Sequence, residues 1–243
     1  ATELQDLEPN LAPIFPHAVL YPNGFTILDP KQMTSRMVDH LCHTGGHFIK
    51  GEVSAVEAHS ADRVAFKVNG NRHHYDQAVL AGGAWSMQIA KGGCEKLPLD
   101  TERGYHVLFS ESAELLNRPV GFADAGFYMT PMYQGLRAAG TVELGGLNAA
   151  PNPERLAYIE RRVRQALPDV GPASDTWLGF RPTLPDSLPV IGRSRNLRNV
   201  IFAFGHHHLG LTLGGITGRL VSEIATGAPP SVDLTPFDGA RFR

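Results

Sequence analysis

Arg181 lies in Gly179-Phe-Arg-Pro-Thr-Leu-Pro-Asp186. A guanidinium is a planar fork that matches a carboxylate through two parallel hydrogen bonds. Pro182 and Pro185 stiffen the segment, and Asp186 suits a turn, so the side chain can be aimed. Further on the chain reads Asn199-Val-Ile-Phe-Ala-Phe-Gly-His-His-His-Leu-Gly-Leu-Thr212. The apolar run predicts a buried parallel strand, Gly205 a tight exit, and Gly210 a close backbone approach at a helix start. A helix start offers N–H groups and a positive dipole end to negative charge. The same pattern occurs in ordinary strand–loop–helix joints. The triple histidine does not read as a metal site. Adjacent residues seldom point to one centre, and no nearby Cys, Asp or Glu completes a ligand set.

Other elements must position these groups. Asp29-Pro30 predicts a helix start, with Met33, Met37, Val38 and Leu41 at helical spacing and Gly45-Gly46 as the stop. Residues 11–29 and His47 to Lys50 read as short strands. Alternation over 51–81 predicts a three-stranded antiparallel meander. Its turns fall at Ser60-Ala61-Asp62 and Asn69-Gly70-Asn71, and its last strand is Gln77 to Ala81. That strand ends in Gly82-Gly83-Ala84-Trp85-Ser86, small residues before a short helix. Strands follow at Tyr105–Phe109, Val120–Phe122, Phe127–Thr130, Leu136–Ala139 and Thr141–Leu144. Residues 153–167 form an amphipathic helix, with Leu156, Ile159, Val163 and Leu167 on one face. A last helix spans about Leu209 to Ala225, and a polar tail follows Gly227.

The 243 residues can bury a large core, and 42% hydrophobic content with mixed charge reads as globular. A net charge of -2 supplies no positive field for phosphates and argues against a nucleic-acid partner. Cys42 and Cys94 have no metal-type spacing and read as reduced thiols. No apolar run approaches a membrane span. The chain opens Ala1-Thr-Glu-Leu-Gln5 without an initiator methionine, and a longer parent protein is expected.

The arginine segment and the strand–helix junction, with 78–86, 101–106 and 140–146, resemble the FAD-dependent amine and amino-acid oxidoreductases. That group includes D-amino-acid oxidase, D-amino-acid dehydrogenases, glycine oxidase and sarcosine oxidase. The resemblance implies that Arg181 holds a substrate carboxylate, with Tyr128 of Phe127-Tyr-Met-Thr-Pro131 beside it. It implies flavin contacts from Gly82, Gly83, Trp85, Gly205, His207, His208, Leu209, Gly210, Leu211 and Thr212. Arg103, Tyr105 and His106 are weaker candidates, and His106 and Glu143 could each be structural. Thr183 and Leu184 stand where some relatives attach FAD through a cysteine, so non-covalent FAD is expected. His208 stands where glycine oxidase has an arginine, which counts against that activity.

The family opens with a Gly-x-Gly-x-x-Gly turn that cradles the FAD pyrophosphate, and the sequence contains none. The resemblance therefore implies a C-terminal portion whose FAD-binding N-terminal segment is supplied elsewhere. The implied fold is α+β. It has a mixed, mainly antiparallel substrate-domain sheet with flanking helices (11–29 and 94–186) and a partial FAD-binding α/β domain (30–90 and 187–230). The latter would expose apolar surface that self-association would cover. The implied reaction is oxidation of a D-amino acid to an imine. A secondary amine (sarcosine, D-proline or D-hydroxyproline) is the alternative substrate. From another class, the chain is a non-catalytic fragment or scaffold subunit without flavin. The implied location is cytoplasmic, or peripheral to the inner membrane through an electron acceptor.

Overall fold

The computed structural model describes residues 2–60 and 63–242. In chain order the elements are α1 (Thr2–Leu7), α2 (Pro30–His43), β1 (Val53–Ser60), β2 (Arg63–Val68), β3 (Asn71–Tyr75), β4 (Ala78–Leu80), α3 (Ser86–Ile89), β5 (Asp100–Phe109), β6 (Val120–Phe122), β7 (Phe127–Met132), β8 (Gly135–Glu143), α4 (Pro153–Ala166), β9 (Asp175–Thr183), β10 (Val190–Arg193), β11 (Val200–Phe204) and α5 (Gly210–Thr226). They make three sheets, ordered β1-β2-β3, β10-β11-β4 and β6-β7-β8-β5-β9. The chain divides into two compact units. The first takes in Ala1–Phe48, Arg103–Glu143 and Ala150–Gly179, and the second Ile49–Glu102, Leu144–Ala149 and Phe180–Arg243, each as far as its residues are described.

The first unit is built on the five-stranded sheet. Alternation puts Tyr105, Val107 and Phe109 of β5, Phe127 and Met129 of β7, and Leu136 and Ala138 of β8 into one core. Ile159, Val163 and Ala166 of α4 pack into the same core. The Asn152 side chain caps α4 by accepting from Glu154 N–H at 2.9 Å. Asp29 caps α2 likewise, accepting from Gln32 N–H at 2.9 Å. No residue of α2 is buried, and Met37 and Leu41 stand exposed.

The second unit holds the β1-β2-β3 meander and the small mixed sheet. Its core gathers Val56, Val64, Leu80, Leu184, Val190, Phe202 and Phe204. Asn69 and Gly70, at φ 49 and 83, make the β2–β3 turn, as Asn-Gly predicts. β11 pairs in parallel with β4 and antiparallel with β10.

Several expected elements fall differently. No strand forms over residues 11–29, where Pro13, Pro16 and Pro22 remove N–H donors, nor over His47 to Lys50. The third meander strand is Asn71–Tyr75, while Ala78–Leu80 leaves that sheet to pair with β11. There Ala78 and Leu80 are buried in the second core while Val79 stays exposed, so the strand is held by one apolar face and the parallel ladder to β11. The two strands expected at 136–144 are one, β8, bent where Thr141 takes φ 59 and the β5 register shifts. The expected Ser60-Ala61-Asp62 turn falls partly outside the described residues. The segment after Gly227 is not merely a polar tail. Arg241 pairs with Asp186 at 2.6 Å, and Phe242 packs on the second core.

Two measurements check this packing. Gly205 has φ +86, and a Cβ there would meet Leu184 Cδ1 at 2.5 Å. Gly205→Ala should therefore destabilise the chain by about 1–3 kcal/mol, read as a lower urea midpoint. An unchanged midpoint would contradict the turn. Burial pushes the Cys94 thiol up to about 11, whereas Cys42 is exposed. At pH 8 iodoacetamide should label native Cys42 and spare Cys94 until unfolding. Equal labelling rates would contradict the burial.

Candidate functional site

In the second unit the chain turns at Gly205 and makes three bonds through His207. Its backbone N–H donates to Pro182 O at 2.9 Å, on the segment that carries Arg181. Its Nε2 lies 2.8 Å from Glu102 Oε2. Its Nδ1 meets His208 Nδ1. His207 has φ 55, a left-handed conformation that costs a non-glycine residue about 1–3 kcal/mol. The surrounding bonds hold it there. His206 diverges from the other two imidazoles and contacts Thr217 Oγ1 of α5 at 2.9 Å. Among the described residues no group of three or more His, Cys, Asp or Glu side chains converges as metal ligands.

Arg181 is half-buried. Burial pulls its guanidinium below the usual arginine range, and the Glu102 charge partly restores it. The His208 imidazole is pushed down by burial, then by His207 and Arg181, while Glu102 acts upward. Glu102, Arg181, His207 and His208 thus share one electrostatic neighbourhood. Glu102 was not singled out from the sequence, although it lies in the quoted Thr101–His106 stretch. Only the fold brings it to His207, which stands far further along the chain.

Leu209 precedes α5 and gives no side-chain cap. The N–H groups of Gly210, Leu211 and Thr212 head the helix, and these residues are exposed. They form an uncapped donor set suited to an acceptor-rich, partly negative group. Gly82 and Gly83 follow β4, and a Cβ on Gly83 would meet nothing within 4 Å. Trp85 stands 45% exposed, with its ring edge-to-face on Phe180 at 5.3 Å. The donor set, the open glycine and the exposed indole suit a flat, acceptor-edged ring such as isoalloxazine. Both His207 ring nitrogens are engaged, so it can offer such a group only a ring face.

In the first unit the sheet's second face carries Tyr128, which is 65% exposed. Register aligns Tyr128 and His106 with Ala139 between them. His106 stacks on Trp177 at 5.3 Å, and burial above all holds its imidazole below the usual range. Arg103, Tyr105 and Glu143 lie in a structural network. Tyr105 donates to Glu143 Oε2 at 2.6 Å, and Arg103 Nε lies 3.3 Å from that oxygen. The tyrosine's hydrogen bond is the foremost cause of a lowered Glu143 pKa. Asn152 N–H donates to Tyr105 Oη at 2.9 Å, tying the network to the start of α4.

The chain resembles known proteins throughout its length. The DAO family, described as FAD dependent oxidoreductase, matches residues 1–224. A D-amino-acid oxidase of Bradyrhizobium diazoefficiens is 34% identical over all of this chain, which spans 59% of that protein. A D-amino acid dehydrogenase of Paramagnetospirillum magneticum is 33% identical over 68% of the chain and 40% of its own length. The solved glycine oxidase of Geobacillus kaustophilus superposes with TM-score 0.85 at 24% identity. That match covers 98% of this chain and 64% of the oxidase, and it shows the shared fold. With the family matched over residues 1–224, the chain belongs to the DAO family of FAD-dependent oxidoreductases.

Proposed function

We propose that the protein containing this chain oxidises a D-amino acid, or a related amine, to the imine. Water then hydrolyses the imine to a 2-oxo acid and ammonia. The observation that carries this is the bond from His207 N–H to Pro182 O, which ties the segment bearing half-buried Arg181 to the turn that leads into the uncapped start of α5. One of these features suits a carboxylate, and the other suits a ring that gains negative charge.

Bound FAD would supply the acceptor for the hydride that leaves the α-carbon. Gly82, Gly83, Trp85, Gly205, His207, His208, Leu209, Gly210, Leu211 and Thr212 are the residues proposed to hold its ring. The first-turn N–H groups of α5 stabilise negative charge there without reorganising. Arg181 grips the substrate carboxylate by its fork and so orients the α-carbon. Tyr128, exposed on the first unit's sheet, is proposed as a further substrate contact. The partial FAD-binding domain is proposed to comprise residues 30–90 and 187–230, and the substrate-binding domain residues 11–29 and 94–186. The remaining 41% or so of a full-length relative would supply the pyrophosphate-binding segment, since the chain spans 59% of one. The exposed Met37 and Leu41 of α2, and Leu211 and Ile216 of α5, agree with cover by such a segment. Relatives named for D-amino acids favour that substrate class over secondary amines. No described helix is long and apolar enough to cross a membrane.

In the complete FAD-loaded enzyme, Arg181→Ala should raise KM for an amino-acid substrate at least about tenfold, since a hydrogen bond to a charged group contributes about 1.5–3 kcal/mol. Steady-state kinetics check this. An unchanged KM would remove Arg181 from the carboxylate site.

A further inference from the structure

The bonds around His207 determine more than backbone position. A carboxylate only accepts hydrogen bonds, so the proton shared with Glu102 Oε2 at 2.8 Å belongs to His207 Nε2. Neutral His207 then presents a lone pair at Nδ1. The contact between the two Nδ1 atoms makes His208 the donor there. Neutral His208 consequently carries its proton on Nδ1 and a lone pair on Nε2. The chain Glu102–His207–His208 thus ends in a proton acceptor on an exposed residue.

We propose that Glu102, His207 and His208 form a proton relay whose outer atom, His208 Nε2, takes a proton from the substrate ammonium. This rests on the proposed carboxylate role of Arg181. In an α-amino acid the nitrogen is one carbon from the carboxylate. A substrate paired to Arg181 therefore brings its ammonium toward the turn that His207 N–H ties to Pro182 O, on which His208 comes next. The ammonium N–H bond breaks and an N–H bond forms at His208 Nε2. His208 passes its Nδ1 proton to His207 Nδ1, and the positive charge comes to rest on His207 against Glu102. The substrate amine is left neutral, with the lone pair that a C=N bond requires. Geometry of this kind activates a base through a second group oriented by a carboxylate.

The charged groups facing His208 are Arg181 and His207, which lower its pKa, and Glu102, which raises it. The sign follows directly. Below the His208 pKa Nε2 is already protonated and the relay cannot accept, so kcat/KM falls on the acid side. His208 is the catalytic residue and Glu102 a positioning residue acting through His207.

The test is the pH profile of kcat/KM in the FAD-loaded enzyme, with nitrogen-15 NMR of the histidine rings. His208→Asn should lower kcat/KM at pH 7 by about 10²-fold, the lower end of general-base contributions. It should also move the acid limb upward to the pKa of the substrate's own ammonium. Glu102→Gln removes the charge that favours imidazolium and should move the limb in the opposite direction, to lower pH. In the wild-type spectrum His208 should carry its proton on Nδ1. A His208 protonated on Nε2 alone overturns the relay. So does an acid limb that stays in place in both variants while flavin content is unchanged. A wild-type enzyme that oxidises no amino acid is a separate result, which overturns the proposed function and the relay's substrate together.

Discussion

Much of the second unit depends on one residue held in an unfavourable conformation. His207 occupies the left-handed region, and its backbone and ring nitrogens reach Pro182, Glu102 and His208. Three distant stretches of sequence meet there: the start of β5, the end of β9 and the turn between β11 and α5. Without those bonds the turn would relax, α5 would lose its direction, and Arg181 would lose its neighbour. A backbone cost of about 1–3 kcal/mol at such a point is common where geometry serves a site.

Two arginines show how burial and partners separate two fates. Arg103 is fully buried against Glu143, within a network that also holds Tyr105 and the start of α4. Removing one member would leave an uncompensated charge in the core, so this network belongs to the fold. Arg181 is half-buried, with the Glu102 charge acting on it. Its surroundings suit a carboxylate that comes and goes.

Where local chemistry decides, the fold was legible in the sequence. Asp29-Pro30 announced α2, the spacing of Leu156, Ile159, Val163 and Leu167 α4, Asn69-Gly70 the β2–β3 turn, and the apolar run 199–204 a buried parallel strand. Elsewhere tertiary pairing decided. Ala78–Leu80 looks like the continuation of a meander, yet its backbone pairs with β11 instead. Val19 and Leu20 resemble strand residues but lie exposed in a proline-rich segment without a ladder. At the site, Arg181 and the histidine run were visible by type and spacing. Glu102 was not, because only the folded turn brings His207 to it.

The most direct measurement is the visible absorbance of the complete, FAD-loaded protein on anaerobic addition of D-amino acids. A flavin that loses its oxidised absorbance, with one equivalent of 2-oxo acid formed per flavin, is the result expected of a site built on Arg181 and the start of α5. A bound flavin that stays oxidised with every D-amino acid and secondary amine tried would contradict that account.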